Sequence, residues 1–473
     1  MFDETSRRAM LKQAACGFGG LAFADLFAQQ VAASHDAGNS LASKPPMFSP
    51  RARRVIFIFM GGGPSHVDTF DYKPELIRRH ETEISFTGVR SSTFGKVSQR
   101  KLMRPLWDFS RYGESGHYVS DLFPEMAKHV DKMCFIHSMH TEGVAHGPST
   151  LFLHTGATNL VRPSVGSWVT YGLGTESENL PGFVTISPSG VNGGPRNYSN
   201  AFLPTIYQGT TLGRVGQPAK NARIRNIENT LTSESLQQRQ FEFMQRLNRQ
   251  QLLRDPGNDV LDAAVESFEL AYRMQMHAPE LMNISDESEA TLQMYGIDQP
   301  ETEDFGHQCL LARKLAEAGV RYIQLNYSDE TANPRWDQHS NMPKHAEHAK
   351  AIDRPCAGLL QDLAQRGLLE DTLVWWGGEF GRTPFSQSNN GRDHNPRGFT
   401  TWLAGGGVKP GYSHGQTDEI GHEAVQDKVH MHDLHATILH LLGLDHERLT
   451  YRHAGRDFRL TDVYGRVVSE LFA

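Results

Sequence analysis

The hexapeptide Val55-Ile56-Phe57-Ile58-Phe59-Met60 is apolar without interruption and stops at Gly61-Gly62-Gly63. A half-solvated strand alternates apolar and polar side chains, so a short unbroken run ending on glycines specifies a strand covered on both faces. Covering both faces takes helices, and the chain supplies them in alternation. Pro124 to Val130 reads as a short helix before a strand at Met133 to Ile136, and helix Pro163 to Leu173 precedes strand Gly182 to Ile186. Helix Phe305 to Ala318 precedes strand Val320 to Leu325, and Lys344 to Arg366 precedes Thr372 to Trp376. Strand Phe399 to Leu403 and a last helix, His432 to Leu442, complete the series. Such alternation predicts an α/β fold, a doubly wound α/β/α sandwich. From Ser233 to Tyr295 the content of Gln, Arg and Glu rises, and helical periodicity breaks at Asp255-Pro256-Gly257. Residues about 217–300 are therefore expected to form a helical insertion within a domain spanning 51–473.

The start of the chain has a different character. Ser6-Arg7-Arg8-Ala9-Met10-Leu11-Lys12 precedes a mild apolar stretch from Ala14 to Ala28 that includes Gly17, Gly19, Gly20 and Asp25. That is too weak for a membrane span, which needs roughly 20 apolar residues. It fits a twin-arginine signal peptide over residues 1–33, cleaved after Val31-Ala32-Ala33, with residues 34–50 as a tether. The expected partner is the twin-arginine translocase, and the expected location is periplasmic or otherwise extracytoplasmic. Gln13 stands where a lipid-attachment box would place an apolar residue before Cys16. Cys134, Cys309 and Cys356 are scattered and form no disulfide framework, and the absence of a Cys-x-x-Cys pair excludes thiolate zinc sites. A net charge of -7 without a basic stripe argues against nucleic acid as a partner.

Histidines number 23 against 13 tyrosines, and many follow strands. In doubly wound sheets ligands sit outside the carboxyl ends of strands. Four polar clusters fall after predicted strands: Gly61 to Asp71, Asn326 to His339, Gly377 to Arg382 and Gly405 to Gly407. Within or beside them stand Ser65-His66-Val67-Asp68, Trp336-Asp337-Gln338-His339, Glu379-Phe380-Gly381-Arg382 and Asp393-His394. His146 and Ser149 lie in Ala145-His146-Gly147-Pro148-Ser149-Thr150. Oxygen and imidazole ligands without thiolate suit one or two divalent ions of zinc, manganese or magnesium. His432, His435 and His440 share a helical face and read as packed or capping groups.

These segments carry a resemblance. Thr372-Leu373-Val374-Trp375-Trp376-Gly377-Gly378-Glu379-Phe380-Gly381 resembles the alkaline-phosphatase and sulfatase superfamily segment ending in Asp-His-Gly, with Glu379 in the place of the metal-binding aspartate. The run from His432 to Gly443 is similar to that superfamily's C-terminal Asp-x-x-Pro-Thr helix. His146-Gly147-Pro148-Ser149-Thr150 through Thr155-Gly156 keeps the register of the sulfatase signature. The resemblance extends to an uncharacterised, twin-arginine-exported bacterial branch labelled a domain of unknown function. That branch is marked by Gly-Gly-Pro-Ser-His-x-Asp, Trp-Asp-x-His, Glu-Phe-Gly-Arg-Thr-Pro and Asp-His blocks, all present here. It implies an alkaline-phosphatase-like sandwich and metal-dependent hydrolysis of an anionic phosphate or sulfate ester, with a polysaccharide as one candidate carrier.

The departures bear on mechanism. His146 stands where relatives place the nucleophilic Cys, Ser or Thr, so a formylglycine is excluded there, and Thr150 replaces the sulfatase arginine. Met60 and Gly61 end the first strand where the superfamily has a metal-binding aspartate, so Asp68, His66 or Ser65 would have to reach in from the loop. Phe380 replaces the residue that normally follows the metal aspartate. Two mechanisms stay open. In one, metal held by Asp337, His339, Glu379, Asp393 and His394 activates a water for attack, and Arg382 forks onto the ester's anionic oxygens. In the other, His146, Ser149 or Thr141 is the nucleophile. His146 as a further metal ligand is the preferred reading. The alternative to an enzyme is a binding or scaffold protein that kept the fold and lost catalysis. The export reading has a direct check: Arg7→Lys with Arg8→Lys should leave uncleaved precursor in the cytoplasm, and normal export of that variant would reject it.

Overall fold

The structure, a computed structural model, describes residues 41–85, 90–91, 95–96, 99–224, 233–255, 258–388 and 390–473. The expected signal peptide and the first part of the tether, through residue 40, lie outside the described residues. By contacts the described residues divide into two compact units, one drawn from 41–224 and 269–473, the other from 233–268. In the latter the described residues are helix α4 (Glu234–Arg254) and the first part of α5 (Asp259–Met282).

The larger unit is built on a nine-stranded sheet. Its strands are β1 (Arg54–Met60), β2 (Met133–His140), β3 (Phe183–Ile186), β4 (Thr210–Leu212), β5 (Tyr322–Tyr327), β6 (Thr372–Gly377), β7 (Phe399–Ala404), β8 (Tyr412–His414) and β9 (Val429–His430). They run in the order β4-β3-β5-β1-β6-β7-β2-β8, with β9 also paired to β2. Connecting them are α1 (His66–Thr69), α2 (His146–Thr155), α3 (Val165–Leu173), α6 (Glu289–Met294), α7 (Glu303–Glu317), α8 (His345–Gln365) and α9 (Met431–Leu441). Every residue of β1, β5, β6 and β7 is buried, so the apolar run at 55–60 is covered on both faces as its composition demands. This is a mixed α/β architecture around a mostly parallel sheet. Its centre is aromatic. Phe57 stacks on Trp375 with ring centroids 3.7 Å apart, and Trp376 lies parallel to Trp402 at 6.0 Å.

One strand departs from the parallel set. β7 pairs antiparallel with both β6 and β2. No helix lies between β6 and β7, only a hairpin of strands Gly381–Gln387 and Gly391–Asn395, and a parallel return needs a longer crossover. The expectation that Gly405–Gly407 joins the other strand-end clusters is thereby corrected. Ala404 pairs with Val374, so these glycines lie at the opposite edge of the sheet from the ends of β1, β5 and β6. His435 is buried with its Nε2 at 2.8 Å from the carbonyl of Leu153, and His440 stacks on Phe472, as packed groups do.

Trp375 ties its strand to both neighbours, stacking on Phe57 of β1 and donating its Nε1 to Thr401 Oγ1 of β7 at 3.2 Å. Trp375→Ala should cost about 3–5 kcal/mol, read from the urea midpoint. A loss below about 1 kcal/mol would show that the stack does not anchor the sheet.

Candidate metal centre

The loops after β1, β5 and β6 meet above the sheet, and one glycine makes the meeting close. Gly62 has φ of +112°, and a Cβ there would lie 2.6 Å from the backbone nitrogen of Asp337. Only glycine fits that conformation and spacing. Its N–H donates to Glu379 Oε1 at 3.0 Å, tying the β1 loop to the residue two beyond β6. The hairpin closes from another side, where a Cβ on Gly391 would lie 1.8 Å from the carbonyl oxygen of His339.

Asp337 is the centre of the arrangement. Its Oδ1 lies 2.8 Å from Arg382 Nη2, 2.9 Å from His339 Nε2, 3.2 Å from His394 Nε2 and 3.3 Å from His146 Nε2. The ligand atoms of His146, Asp337, His339 and His394 all lie within 4.8 Å of one another. The three imidazoles share a second feature: each holds its Nδ1 against an oxygen. His146 Nδ1 meets Glu379 Oε1 at 2.6 Å, His394 Nδ1 meets the Val144 carbonyl at 2.7 Å, and His339 Nδ1 meets Gln387 Oε1 at 2.5 Å. A carbonyl or carboxylate can only accept, so each Nδ1 carries the proton and each Nε2 presents a lone pair inward. His339 Nε2 and His394 Nε2 face each other at 3.0 Å. Two ring nitrogens at that distance either share a proton or, with Asp337, offer donors to one cation.

Titration behaviour follows the same geometry. Burial pushes the Asp337 pKa up, but the charge of the adjacent Arg382 guanidinium, helped by the imidazoles around it in their protonated forms, outweighs it and leaves the carboxyl far below its usual range. Burial, with the nearby guanidinium and His146, lowers His394 to about 4, so it is neutral near pH 7. Burial also opposes charge on His146. The carboxylates of Asp337 and Glu379 on its two sides prevail there and raise its pKa. A divalent ion at Nε2 would compete with a proton there. Asp337 Oδ2 and His146 Nε2 are buried without a hydrogen-bond partner. The residues present fit a metal ion.

Other residues singled out in the sequence take different places. Glu379 is fully buried behind His146 and orients it. Asp393 accepts the backbone N–H of His394 at 2.8 Å, with Oδ1 3.8 Å from His339 Nδ1. Asp68 does not reach the cluster, because its Oδ2 is 2.7 Å from Arg392 Nε and accepts from Ser65 Oγ at 2.5 Å. His66 turns its Nε2 to the Gly421 carbonyl at 2.7 Å. Ser149, one helical turn beyond His146, is buried with no partner for its Oγ. Thr141 Oγ1 is likewise buried without a partner. Arg382 differs from the expected substrate fork. It is fully buried, with Nε donating to the Gly63 carbonyl at 2.9 Å, Nη1 to that of Arg392 at 3.2 Å and Nη2 to that of Gly62. Its remaining contact is Asp337, so it acts as that carboxylate's counter-ion. Sequence reasoning missed Gln387 and the Val144 carbonyl, which carry no signal of their own, and the Phe380 ring stacked on His394 at 4.3 Å.

Residues 52–472 match the family described as "Protein of unknown function (DUF1501)". No curated protein matches the chain. Among solved structures, the chain is similar to the lipoteichoic acid synthase LtaP from Listeria monocytogenes, with 8% identity, 90% of this chain and 80% of that chain covered, and a TM-score of 0.38. It is also similar to a protein in the alkaline phosphatase superfamily from Vibrio parahaemolyticus, at 8% identity over 93% and 77% of the two chains with a TM-score of 0.38. The PsFucS1 sulfatase from Pseudoalteromonas sp. is a third, at 11% identity over 83% and 68% with a TM-score of 0.35. Likeness at this level carries nothing about the site.

The orientation of His146 by Glu379 generates a prediction. Glu379→Gln keeps the volume and removes the carboxylate, so metal affinity should fall about 10–100-fold in competition with a chelator. Unchanged affinity would mean that His146 is not a ligand.

Proposed function

The chain belongs to the DUF1501 family, whose description leaves activity open, and we propose that it is an exported, metal-dependent hydrolase of a phosphate or sulfate ester. The observation that carries this reading is the convergence of three Nε2 lone pairs on one carboxylate oxygen, each imidazole locked from behind. His146, Asp337, His339 and His394 would hold a divalent ion. Zinc, manganese or magnesium all accept such nitrogen and oxygen donors, with three imidazoles favouring zinc. When bound, such an ion supplies Lewis-acid polarisation of the ester oxygen and lowers the pKa of water.

The protein's own groups do the rest. Arg382 holds Asp337 ionised and aimed, and is itself withdrawn from substrate. Binding of the ester's negative oxygens therefore falls to the ion and to the start of α2. That helix has no side-chain cap at Ala145, so its first N–H groups and its dipole face the side where His146 stands. Phe380 walls the imidazoles of His394 and His146, keeping water from their ring faces. His146, occupied at Nδ1 by Glu379 and at Nε2 by the cluster, is bound as a ligand rather than poised as a nucleophile. Export rests on the paired arginines at 7 and 8, and among the described residues no helix is long and apolar enough to cross a membrane.

Chelation should abolish hydrolysis of p-nitrophenyl phosphate and p-nitrophenyl sulfate and lower the thermal midpoint, since an ion bound only to the folded state stabilises it. His146→Ala should reduce bound metal and turnover together. Full metal content with turnover abolished in that variant, and a trapped phosphohistidine in the parent, would instead make His146 a covalent nucleophile.

A further inference from the structure

Beyond the metal centre, the carboxyl ends of β3 and β4 open into a cleft of about 950 Å³. Two loops line it, Pro188-Ser189-Gly190 shortly after β3 and Gly213-Arg214-Val215-Gly216 directly after β4. Pro188, Ser189 and Tyr198 also line a narrow cavity that reaches Gly61, Thr150 and Pro334. Those residues adjoin Gly62, the helix of His146 and the loop of Asp337. That cavity has room for about one water and is lined by none of His146, Asp337, His339 or His394, so it sets the cleft beside the metal centre without itself holding a ligand.

The charged groups lining the cleft are Arg214, Arg223 and Glu330. Glu330 is tied at the lip, where its Oε2 accepts the Gly190 N–H at 2.9 Å. Arg223 is braced by donating Nη1 to the Ala222 carbonyl at 2.8 Å and to that of Lys220 at 3.3 Å. Neither Arg214 nor Arg223 makes an ion pair among the described residues, in a chain whose net charge is -7. Most other arginines packed on this unit do, including Arg54, Arg313, Arg321, Arg382 and Arg392. Gly213 and Gly216 have φ of +66° and +80°, and nothing lies within 4 Å of where a Cβ on Gly216 would stand. The backbone there is open to close approach by a ligand. Two guanidinium groups without an ion pair among the described residues, Arg214 on a glycine-flanked loop and Arg223 braced beside it, at the carboxyl edge of parallel strands, are suited to tetrahedral anions.

We propose that this cleft is a second anion subsite, taking a sulfate or phosphate group that the substrate carries away from the ester at the metal centre. Assigning that group to the substrate rests on the hydrolase reading, whereas the subsite itself does not. The substrate class this implies is a molecule with at least two anionic ester groups, long enough to run from the ends of β1 and β5 to the ends of β3 and β4.

The test is calorimetric titration of the mature chain with a sulfated dextran oligosaccharide, the same oligosaccharide unsulfated, and tripolyphosphate. Each titration is repeated on Asp337→Asn, where the metal centre is lost. Arg214→Ala/Arg223→Ala is then made on both backgrounds, with its thermal midpoint as the check on folding. One or both polyanions should bind, more tightly at low salt, and the unsulfated sugar should not. The arm that binds tells sulfate from phosphate. The double substitution should weaken binding about tenfold or more, and Arg214→Lys/Arg223→Lys should restore most of it. Asp337→Asn, shown folded by the same thermal check, should keep arginine-dependent polyanion binding, weakened only by the contact the metal centre itself makes. Binding equal in the double variant, equal binding of the unsulfated sugar, loss of binding in Asp337→Asn, or no polyanion binding at all would overturn the subsite. Arginine-dependent binding in a protein that holds no metal and turns over no ester would keep the subsite and end the hydrolase reading.

Discussion

Arg382 and Arg392 lie on the two strands of one hairpin, both without solvent exposure, and the Nη1 of the first donates to the carbonyl of the second. A guanidinium cannot shed its charge, so each needs a carboxylate brought to it. The carboxylates come from elsewhere in the chain: Asp68 from the segment after β1, Asp337 from the segment after β5. Satisfying two buried cations therefore pins three loops together at the strand ends. Breaking either pair would strand a buried charge, at a cost of about 3–5 kcal/mol. Backbone carbonyls of Gly62, Gly63, Met103 and Thr383 take the remaining donors, which fixes the hairpin against the β1 loop.

The candidate metal centre is a consequence of that clamp. Once Arg382 holds Asp337, its Oδ1 becomes the point on which His146, His339 and His394 converge. Each imidazole is aimed by a partner on its far nitrogen: a carboxylate, an amide and a main-chain carbonyl. Those three partners come from the segment after β6, the hairpin and the segment before α2. The site is thus preorganised from behind its donor atoms, by partners on the far nitrogens, the arrangement that makes ligand geometry precise in metalloproteins.

How much of this could be read from the chain depends on the range of the interaction. Helix and strand alternation is local, and the apolar run at 55–60, the helix at 345–365 and the strand at 372–377 follow it closely. The direction of β7 is not local. It depends on the missing crossover, and so the glycines at 405–407 were assigned to the wrong edge of the sheet. At the site, His146, Asp337, His339 and His394 stood out in the sequence as imidazole and carboxylate donors in clusters outside the predicted helices and strands, and the fold brings these four together. The roles of Asp68 and Arg382 were not. An aspartate beside a histidine looks the same whether it faces an ion or a buried arginine, and the sequence does not show that Arg392 lacks any other counter-ion. Gln387 was invisible for a related reason: an amide signals nothing until the imidazole it orients is placed against it.

The central claim is that one ion sits among three Nε2 atoms and a carboxylate, and X-ray absorption at the metal edge of the purified protein tests it most directly. The account predicts a light-atom shell of nitrogen and oxygen at about 2.0–2.2 Å if the ion is zinc, with outer-shell scattering from three imidazoles. A sulfur shell, an all-oxygen shell without imidazole scattering, or a purified protein that retains no stoichiometric metal would contradict it.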